Sequence, residues 1–243
     1  MENEAAPKKR VIYHAKIKTI IDHTKDFREL FIKLIEPKEF NFRAGQFLML
    51  HIPGEAKPVL RAYSIASSAQ QKDALGLIFK YVPNGIASEF VWKLKENDEL
   101  HFTGPFGKVF LKEPAAEQII FLCTGSGVAQ HICFLKSHQD QLSQKNISFF
   151  MGLNTEENIY FEEELKKIKA QYRDFKYDYV LSQPSPAWGG LKGYVQNQIE
   201  NLNYLKTPTD FYLCGNGQMI KHTREMLGLA GILPSQIIYE AFD

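Results

Sequence analysis

The sequence changes its pattern near residue 115, and this change constrains the fold more than any other feature. Before that point, short segments rich in β-branched and aromatic residues are separated by turn formers such as Pro53-Gly54 and Gly104-Pro105. The predicted strands are residues 9–19, 28–35, 46–52, 59–67, 74–82 and 99–103. One helix is predicted at residues 86–94. Strands with this spacing indicate an antiparallel barrel or sandwich.

After residue 115 the pattern alternates between strand and helix. The predicted strands are residues 118–123, 146–151, 175–181, 211–214 and 237–239, and the predicted helices are residues 128–139, 157–170, 194–201 and 218–230. Such alternation is typical of a parallel sheet that binds a ligand at the carboxyl ends of its strands. We therefore predict two domains, an antiparallel β-barrel over residues 1–115 and an α/β parallel-sheet domain over residues 116–243.

Composition excludes several classes of protein. The 29 basic and 28 acidic residues give a net charge of +1, which argues against a nucleic-acid-binding protein. This total combines +4 before residue 115 and −3 after it. No apolar run approaches the roughly 20 residues of a membrane span, and the first residues lack the features of a secretory signal. Cys123, Cys133 and Cys214 are too far apart for a metal or iron–sulfur site. We expect a cytoplasmic protein without a metal.

Two glycine-rich turns follow predicted strands of the second domain. Thr124-Gly125-Ser126-Gly127 and Cys214-Gly215-Asn216-Gly217 each end a strand and begin a helix, where small residues let backbone N–H groups approach a phosphate. The first turn alone is equally typical of an ordinary connection, because Gln130 replaces the third glycine of the dinucleotide fingerprint. Two such turns at one sheet edge predict a nucleotide site.

The first domain contains two further candidate segments. Arg61-Ala62-Tyr63-Ser64 places a cation, an aromatic ring and a hydroxyl on one predicted strand, and Gly85-Ile86-Ala87-Ser88 begins the predicted helix. On these residues alone, a surface ion pair for Arg61 and a core position for Tyr63 remain the alternatives.

Together these segments resemble the ferredoxin-NADP reductase superfamily over residues 10–243. The matching motifs, in family order, are Ala44-Gly45-Gln46-Phe47, Arg61-Ala62-Tyr63-Ser64, Gly85-Ile86-Ala87-Ser88, Gly104-Pro105-Phe106-Gly107, Thr124-Gly125-Ser126-Gly127, Tyr212-Leu213-Cys214-Gly215 and Tyr239-Glu240-Ala241-Phe242. Members pair a flavin-binding barrel with a nicotinamide-binding α/β domain, so the resemblance implies FAD and NAD(P)H as cofactors.

The resemblance also implies roles for individual residues. Arg61 would hold the flavin pyrophosphate, Tyr63 would lie against the flavin ring and Ser64 would hydrogen-bond near flavin N5. The pyrophosphate would also be bound by Lys80, Gly85, Ile86, Ala87 and Ser88. The nicotinamide cofactor would be bound by Thr124, Gly125, Ser126, Gly127, Gln183, Cys214, Gly215, Asn216 and Phe242. Phe242 would cover the flavin and move aside when nicotinamide docks. The catalytic residues would be Ser64, Cys214, Glu240 and Phe242.

The implied reaction is hydride transfer from NAD(P)H to FAD, followed by single-electron transfer to a separate carrier such as ferredoxin or flavodoxin. A separate carrier is expected because the cysteine ladder of an iron–sulfur module is absent. Two alternatives are the reductase component of a multicomponent oxygenase and a non-catalytic, redox-sensing subunit. Basic residues would steer an acidic partner, although Lys8–Arg10 equally fit a solvated terminus. These residues are Lys8, Lys9, Arg10, Lys16 and Lys18.

Three departures from the family pattern carry further expectations. Bacterial NADPH-using relatives often have arginine where Gln183 stands, and Glu156 and Glu157 lie in the other segment of that pocket. We therefore expect NADH to be preferred, with NADPH possible because Arg173 or Lys192 could fold into the pocket. Gln130 stands where the family usually has proline, which predicts a less rigid glycine turn. Asp243 would place a carboxylate near the flavin.

Overall fold

The structure is a computed structural model that describes residues 11–242. The basic segment 8–10 and Asp243, both named above, lie outside the described residues. The first six strands form one antiparallel sheet in the order β4-β3-β6-β1-β2-β5. They are β1 (Ile12–Asp22), β2 (Phe27–Glu36), β3 (Phe47–Ile52), β4 (Val59–Ser64), β5 (Ala74–Lys80) and β6 (Glu99–Phe106). A bridge between Ile65 and Leu77 brings the chain after β4 against β5, so the two edges meet and a barrel results.

Alternating burial explains why these segments form strands around a core. In β3, Leu48, Leu50 and Ile52 are buried, whereas the residues between them are partly exposed. This period of two places one face of the strand inside the barrel. The helix α1 (Ile86–Val91) packs against the barrel through buried Val91 and Ser88.

The remaining strands form a parallel sheet in the order β10-β9-β8-β7-β11-β12. They are β7 (Gln118–Thr124), β8 (Asn146–Leu153), β9 (Asp174–Leu181), β10 (Leu191–Lys192), β11 (Thr209–Asn216) and β12 (Ile237–Phe242). The helices are α2 (Val128–Ser137), α3 (Gln139–Leu142), α4 (Glu162–Gln171) and α5 (Gly217–Leu229). Residues 119–123 of β7 are wholly buried, as expected for a strand with both faces covered. No helix among residues 11–242 is long and apolar enough to cross a membrane.

Several predicted boundaries are wrong. The helix expected at residues 157–170 begins at Glu162, because Glu156–Asn158 forms a 3-10 turn capped by Thr155 and Phe161 has a left-handed φ of 68°. The helix expected at residues 194–201 is a 3-10 helix over Val195–Asn201, where β-branched residues and asparagines lower α-helical propensity. The strand expected at residues 59–67 ends at Ser64.

The connection between the two sheets is fixed to β11. The buried Asp210 carboxylate accepts from Lys112 Nζ over 2.6 Å and from the Ala116 N–H over 3.3 Å. The Lys112 N–H donates to the Tyr212 hydroxyl over 2.9 Å. The predicted domain boundary at residue 115 falls between these contacts.

His131 generates a prediction about acid stability. Its ring is fully buried beside Phe121 and Phe149, neither nitrogen has a hydrogen-bond partner among the described residues, and burial lowers its pKa to about 3. Between pH 6.5 and 3 the unfolded chain therefore binds a proton that the folded chain does not. We expect the free energy of unfolding to fall from this source by about 2–3 kcal/mol between pH 7 and pH 4.5. His131→Phe should remove that loss in urea titrations at the two pH values.

The matched control is His101→Gln, which replaces an exposed histidine and should retain the wild-type acid sensitivity. Equal acid sensitivity in His131→Phe and the wild type would contradict this account of His131.

Candidate functional site

Two glycine-rich turns lie side by side at the carboxyl ends of β7 and β11. β7 continues through a 3-10 turn, Gly125–Gly127, into α2, and β11 leads directly into α5. The Asn216 N–H donates to Thr124 Oγ1 over 2.8 Å. A Cβ atom at Gly127 would collide with the backbone of Cys214, and one at Gly215 would collide with Thr124. The two turns therefore share one edge of the sheet, as their positions in the sequence predict.

The order of strands explains why a ligand site forms at this edge. From β7 the chain adds β8, β9 and β10 in one direction, then crosses back to place β11 on the other side of β7. Connections leave β7 and β11 in opposite directions, so a crevice opens between them. The first N–H groups of a helix have no intrahelical partner, which suits such a crevice to anions.

A cavity of about 550 Å³ occupies this crevice and is bounded by both domains. Six residues that the sequence predicted for cofactor binding line it: Lys80, Thr124, Gly125, Ser126, Asn216 and Phe242. The other predicted residues lie outside its walls: Arg61, Tyr63, Ser64, Gly85, Ile86, Ala87, Ser88, Gly127, Gln183, Cys214, Gly215 and Glu240. The cavity wall thus contains five of the nine residues predicted for the nicotinamide cofactor and, of those predicted for the flavin, Lys80.

Lys80 belongs to the crevice although it lies on a barrel strand. A Cβ atom built on Gly125 would lie 3.5 Å from Lys80 Cδ, so the lysine alkyl chain passes beside the glycine turn. The resemblance assigned Lys80 to the flavin pyrophosphate. Its position here places a cation beside the dinucleotide turn.

β4 presents three of the residues predicted for the flavin. Arg61 is exposed, and its guanidinium donates to the Leu60 carbonyl oxygen over 3.0 Å. Tyr63 packs against Phe79 with ring centroids 4.3 Å apart, and burial raises its pKa to about 12. Ser64 is buried with no hydrogen-bond partner for its hydroxyl among the described residues. An available cation and a buried hydroxyl without a partner fit an anionic, hydrogen-bonding group such as a flavin nucleotide.

The Ser88 hydroxyl has a structural partner that the sequence did not reveal. It accepts from the Val82 N–H over 2.8 Å and approaches the Lys80 carbonyl oxygen at 3.5 Å. The hydroxyl therefore holds the loop before α1. Accepting this bond leaves the hydroxyl hydrogen able to turn to another acceptor, so the expectation that Ser88 binds pyrophosphate stays a prediction.

Cys214 and Glu240 are neighbours on paired strands. They stand in register on β11 and β12, and the Cys214 thiol is fully buried. Burial, followed by the nearby Glu240 carboxylate, raises the pKa of Cys214 well above its usual value, so the thiol stays neutral. Burial also raises the pKa of Glu240 to about 7. Glu240 is therefore able to bind or release a proton near neutral pH.

Gln130 corrects an expectation from the sequence. The absence of proline predicted a less rigid turn, but the Gln130 side chain is buried and donates to both the Gly45 carbonyl oxygen and the Glu240 carboxylate. The start of α2 is thereby tied to the barrel and to β12.

The segment expected to receive the adenosine end carries an organised carboxylate. Glu156 accepts from the Ser185 hydroxyl over 2.6 Å and from the Ser185 N–H over 3.0 Å, and these bonds lower its pKa. Gln183 is exposed, with its N–H bound to the Asn154 carbonyl oxygen. No arginine or lysine side chain among the described residues lines the cavity beside this segment.

The sequence reading missed the contacts that close the crevice from the barrel side. Asn158 Nδ2 donates to Asp26 Oδ2 over 2.8 Å, and the rings of Phe27 and Tyr160 stack with centroids 4.3 Å apart. The Tyr160 hydroxyl then donates to the Gly125 carbonyl oxygen over 3.1 Å. These pairs are more than 30 residues apart in the sequence, and no motif marks them.

Comparison with known proteins agrees with this geometry. A family model described as an oxidoreductase FAD-binding domain matches residues 14–111, and one described as an oxidoreductase NAD-binding domain matches residues 121–225. A relative from Yersinia enterocolitica, a Na(+)-translocating NADH-quinone reductase subunit, is 29% identical over 265 residues. That match covers 88% of this chain and 64% of the relative, so the chain spans less than two thirds of that protein.

Two solved structures share the whole fold. A cytochrome P450 reductase from Amycolatopsis superposes with a TM-score of 0.85 at 22% identity, covering 99% of this chain and 73% of that chain. A ferredoxin NADP+ reductase from Neisseria gonorrhoeae, with bound FAD and NADP, superposes with a TM-score of 0.82 at 23% identity, covering 96% and 99%.

The contact between the two glycine turns predicts the effect of Gly127→Ala. Gly127 has an ordinary helical conformation, so the added methyl acts only by pushing the turn away from β11. We expect affinity for the nicotinamide nucleotide to fall at least about tenfold, which corresponds to a loss of about 1.4 kcal/mol, while flavin retention is unchanged. Isothermal titration calorimetry with NAD⁺ measures the first, and the flavin-to-protein ratio measures the second.

Gly228→Ala is the control, because a Cβ atom there meets nothing within 4 Å. It lies in α5 and should leave affinity unchanged and raise helix stability by up to about 1 kcal/mol. Wild-type affinity in Gly127→Ala would show that the turns need no such close approach.

Proposed function

The chain belongs to the ferredoxin-NADP reductase superfamily of FAD- and NAD(P)H-dependent oxidoreductases, and from this membership we propose that it passes electrons from NADH through FAD to a separate carrier. The observation that carries the proposal is the cavity between the domains, which is lined by Phe242 from β12 and by Lys80 from the barrel beside the first glycine turn. A dinucleotide on that turn would extend towards both.

The residues of this chain would bind, orient and shield the cofactors. When bound, FAD supplies the redox chemistry, by taking two electrons from reduced nicotinamide and releasing them singly. Arg61 would neutralise the flavin phosphate, and the unpartnered Ser64 hydroxyl would orient the ring. Phe242, 37% exposed at the cavity wall, would cover the place where nicotinamide docks.

Preference for NADH is supported by Glu156. Its carboxylate is held by Ser185, three residues after Ser182, which lines the cavity. A 2′-phosphate brought to this end of the crevice would meet a fixed negative charge, whereas two ribose hydroxyls would meet a hydrogen-bond acceptor.

A separate one-electron carrier, such as ferredoxin or flavodoxin, remains our proposal for the acceptor. The curated relatives of this chain are named as Na(+)-translocating NADH-quinone reductase subunits, so a quinone is the acceptor to compare with such carriers. Lys16 stands opposite Glu99 on β6 and Lys33 on β2, so its cross-strand neighbours carry one charge of each sign and form no basic cluster with it. Comparing ferredoxin, flavodoxin and a soluble quinone as acceptors of the NADH-reduced protein tests the acceptor directly. A protein whose bound flavin NADH does not reduce would instead favour a redox-sensing role.

Arg61→Ala tests the flavin site. Loss of the cation should weaken FAD retention about tenfold or more, because a charged hydrogen bond to phosphate contributes about 1.5–3 kcal/mol. The flavin-to-protein ratio after gel filtration measures this effect. Arg173→Ala, which removes an exposed arginine of the α/β domain, is the control and should retain its FAD. Full occupancy in Arg61→Ala would refute the phosphate role.

Glu156→Gln tests the choice of nucleotide. Removing the negative charge should raise kcat/KM for NADPH relative to NADH by about tenfold, because repulsion of the 2′-phosphate is relieved. Stopped-flow reduction of the flavin by each nucleotide provides the ratio. Glu157→Gln is the matched control, because this neighbouring carboxylate pairs with Lys25 instead. If both substitutions changed the NADPH-to-NADH ratio of kcat/KM equally, the effect would come from the overall negative charge of this segment and not from Glu156 itself.

A further inference from the structure

Gln130 makes a contact between the two domains that the family resemblance does not predict. It lies in the first turn of α2, and its side chain is 1% exposed. Gln130 Nε2 lies 3.1 Å from the Gly45 carbonyl oxygen on the barrel and 2.8 Å from Glu240 Oε2 on β12. Both partners are acceptors, so the nitrogen end of the amide must face them.

The position of the Gly45 carbonyl is itself fixed by packing. Gly45 has a φ of 96°, and a Cβ atom there would collide with the Val109 carbonyl oxygen and lie 2.8 Å from the Phe134 ring. Phe134 is a buried residue of α2. The barrel loop therefore lies directly on the helix that carries Gln130, and the acceptor cannot withdraw without separating the domains.

The orientation of the amide leaves one of its own atoms without a partner. Gln130 Oε1 is buried and accepts no hydrogen bond from the described residues. A rotation of the amide by 180° would not relieve this cost, because it would place Oε1 against the Gly45 carbonyl oxygen. The two acceptors therefore hold the amide in one orientation.

Glu240 presents its two carboxyl oxygens to different surroundings. Oε2 accepts from Gln130, whereas Oε1 lies 3.4 Å from a Cβ atom built on Gly107 and has no hydrogen bond to the described residues. The titratable group that faces Glu240 is the Cys214 thiol of β11, because Gln130 from α2 and Gly107 after β6 add no charge. Burial raises the pKa of Glu240, and the hydrogen bond that Gln130 donates to Oε2 opposes this by favouring the charged carboxylate.

We propose that Gln130 is a positioning residue that holds the Glu240 carboxyl between the two domains and directs its proton to Oε1, beside Gly107. The inference rests on the proposed reductase function and deepens it, since Glu240 stands in register with Cys214 at the end of β11. Both Gln130 N–H bonds point at acceptors, so Oε2 remains the acceptor and an arriving proton binds Oε1.

The test follows the Glu240 proton in the oxidised, FAD-loaded protein without nicotinamide. Infrared difference spectra between pH 5 and 9 report the carboxylic acid C=O band, and its absence in Glu240→Gln assigns it. Gln130→Met keeps a similar volume but cannot donate a hydrogen bond. Because the amide favours the charged carboxylate, the midpoint should rise by about one pH unit in this variant. The pH midpoint of flavin reduction by NADH should shift in the same direction.

Gln118→Met is the matched control. It removes another buried glutamine, which accepts from Thr209 at the opposite end of β7, and should leave the midpoint of Glu240 unchanged. Gln130→Pro provides a second variant in case Gln130→Met does not fold, because proline is tolerated in the first turn of a helix. It should give the same upward shift.

An unchanged midpoint in a folded Gln130 variant overturns the inference. An equal shift in Gln118→Met also overturns it, because the effect would then be a general consequence of losing a buried amide. Failure of the proposed function looks different. In that case NADH would not reduce the wild-type flavin, whereas the infrared titration needs no nicotinamide and still reports whether Gln130 controls Glu240.

Discussion

The close approach of two backbones at the ends of β7 and β11 is the constraint on which the site depends. Gly127 and Gly215 each occupy a place where a side chain would collide with the opposite strand or turn. A Cβ atom at Gly215 would collide with the same Thr124 hydroxyl that accepts the hydrogen bond from the Asn216 N–H. The same approach starts α2 and α5 side by side at one edge of the sheet, and so determines where the cavity opens.

Much of this arrangement could be predicted from the sequence, because it is local. The alternation of β3 and the continuous apolar run of β7 reveal a barrel strand and a buried parallel strand. The glycine turns are visible because each follows its strand directly. The boundary of α4 could not be read in this way, since it depends on a 3-10 turn and on the left-handed backbone of Phe161. Local propensity predicts neither.

Contacts between the domains could not be predicted from the sequence, for a different reason. Asp26 with Asn158, and Gln130 with Gly45, are ordinary residues in segments far apart along the chain. Only the packing of the barrel against the parallel sheet brings them together. Gln130 shows the consequence most clearly. In its local sequence, glutamine in place of proline predicts a less rigid turn. In the folded chain, however, the Gln130 amide connects that turn to the barrel and to β12.

Buried polar atoms without hydrogen-bond partners have different consequences at different places in this protein. Ser64 and His131 both bury such atoms, but Ser64 lies on the strand that also presents Arg61, whereas His131 is enclosed by Phe121 and Phe149. We expect the unpartnered hydroxyl of Ser64 to be available to a ligand, whereas the His131 ring, enclosed by aromatic rings, only lowers stability. Gln130 differs from both, because its Oε1 lacks a hydrogen-bond partner while its Nε2 donates to two acceptors. The pairing of β12 with β11 sets Glu240 beside Cys214, and it also sets Phe242 beside Asn216 at the cavity. The proton-binding carboxyl and the ring at the cavity wall are therefore positioned by one strand, which a single buried amide ties to both domains.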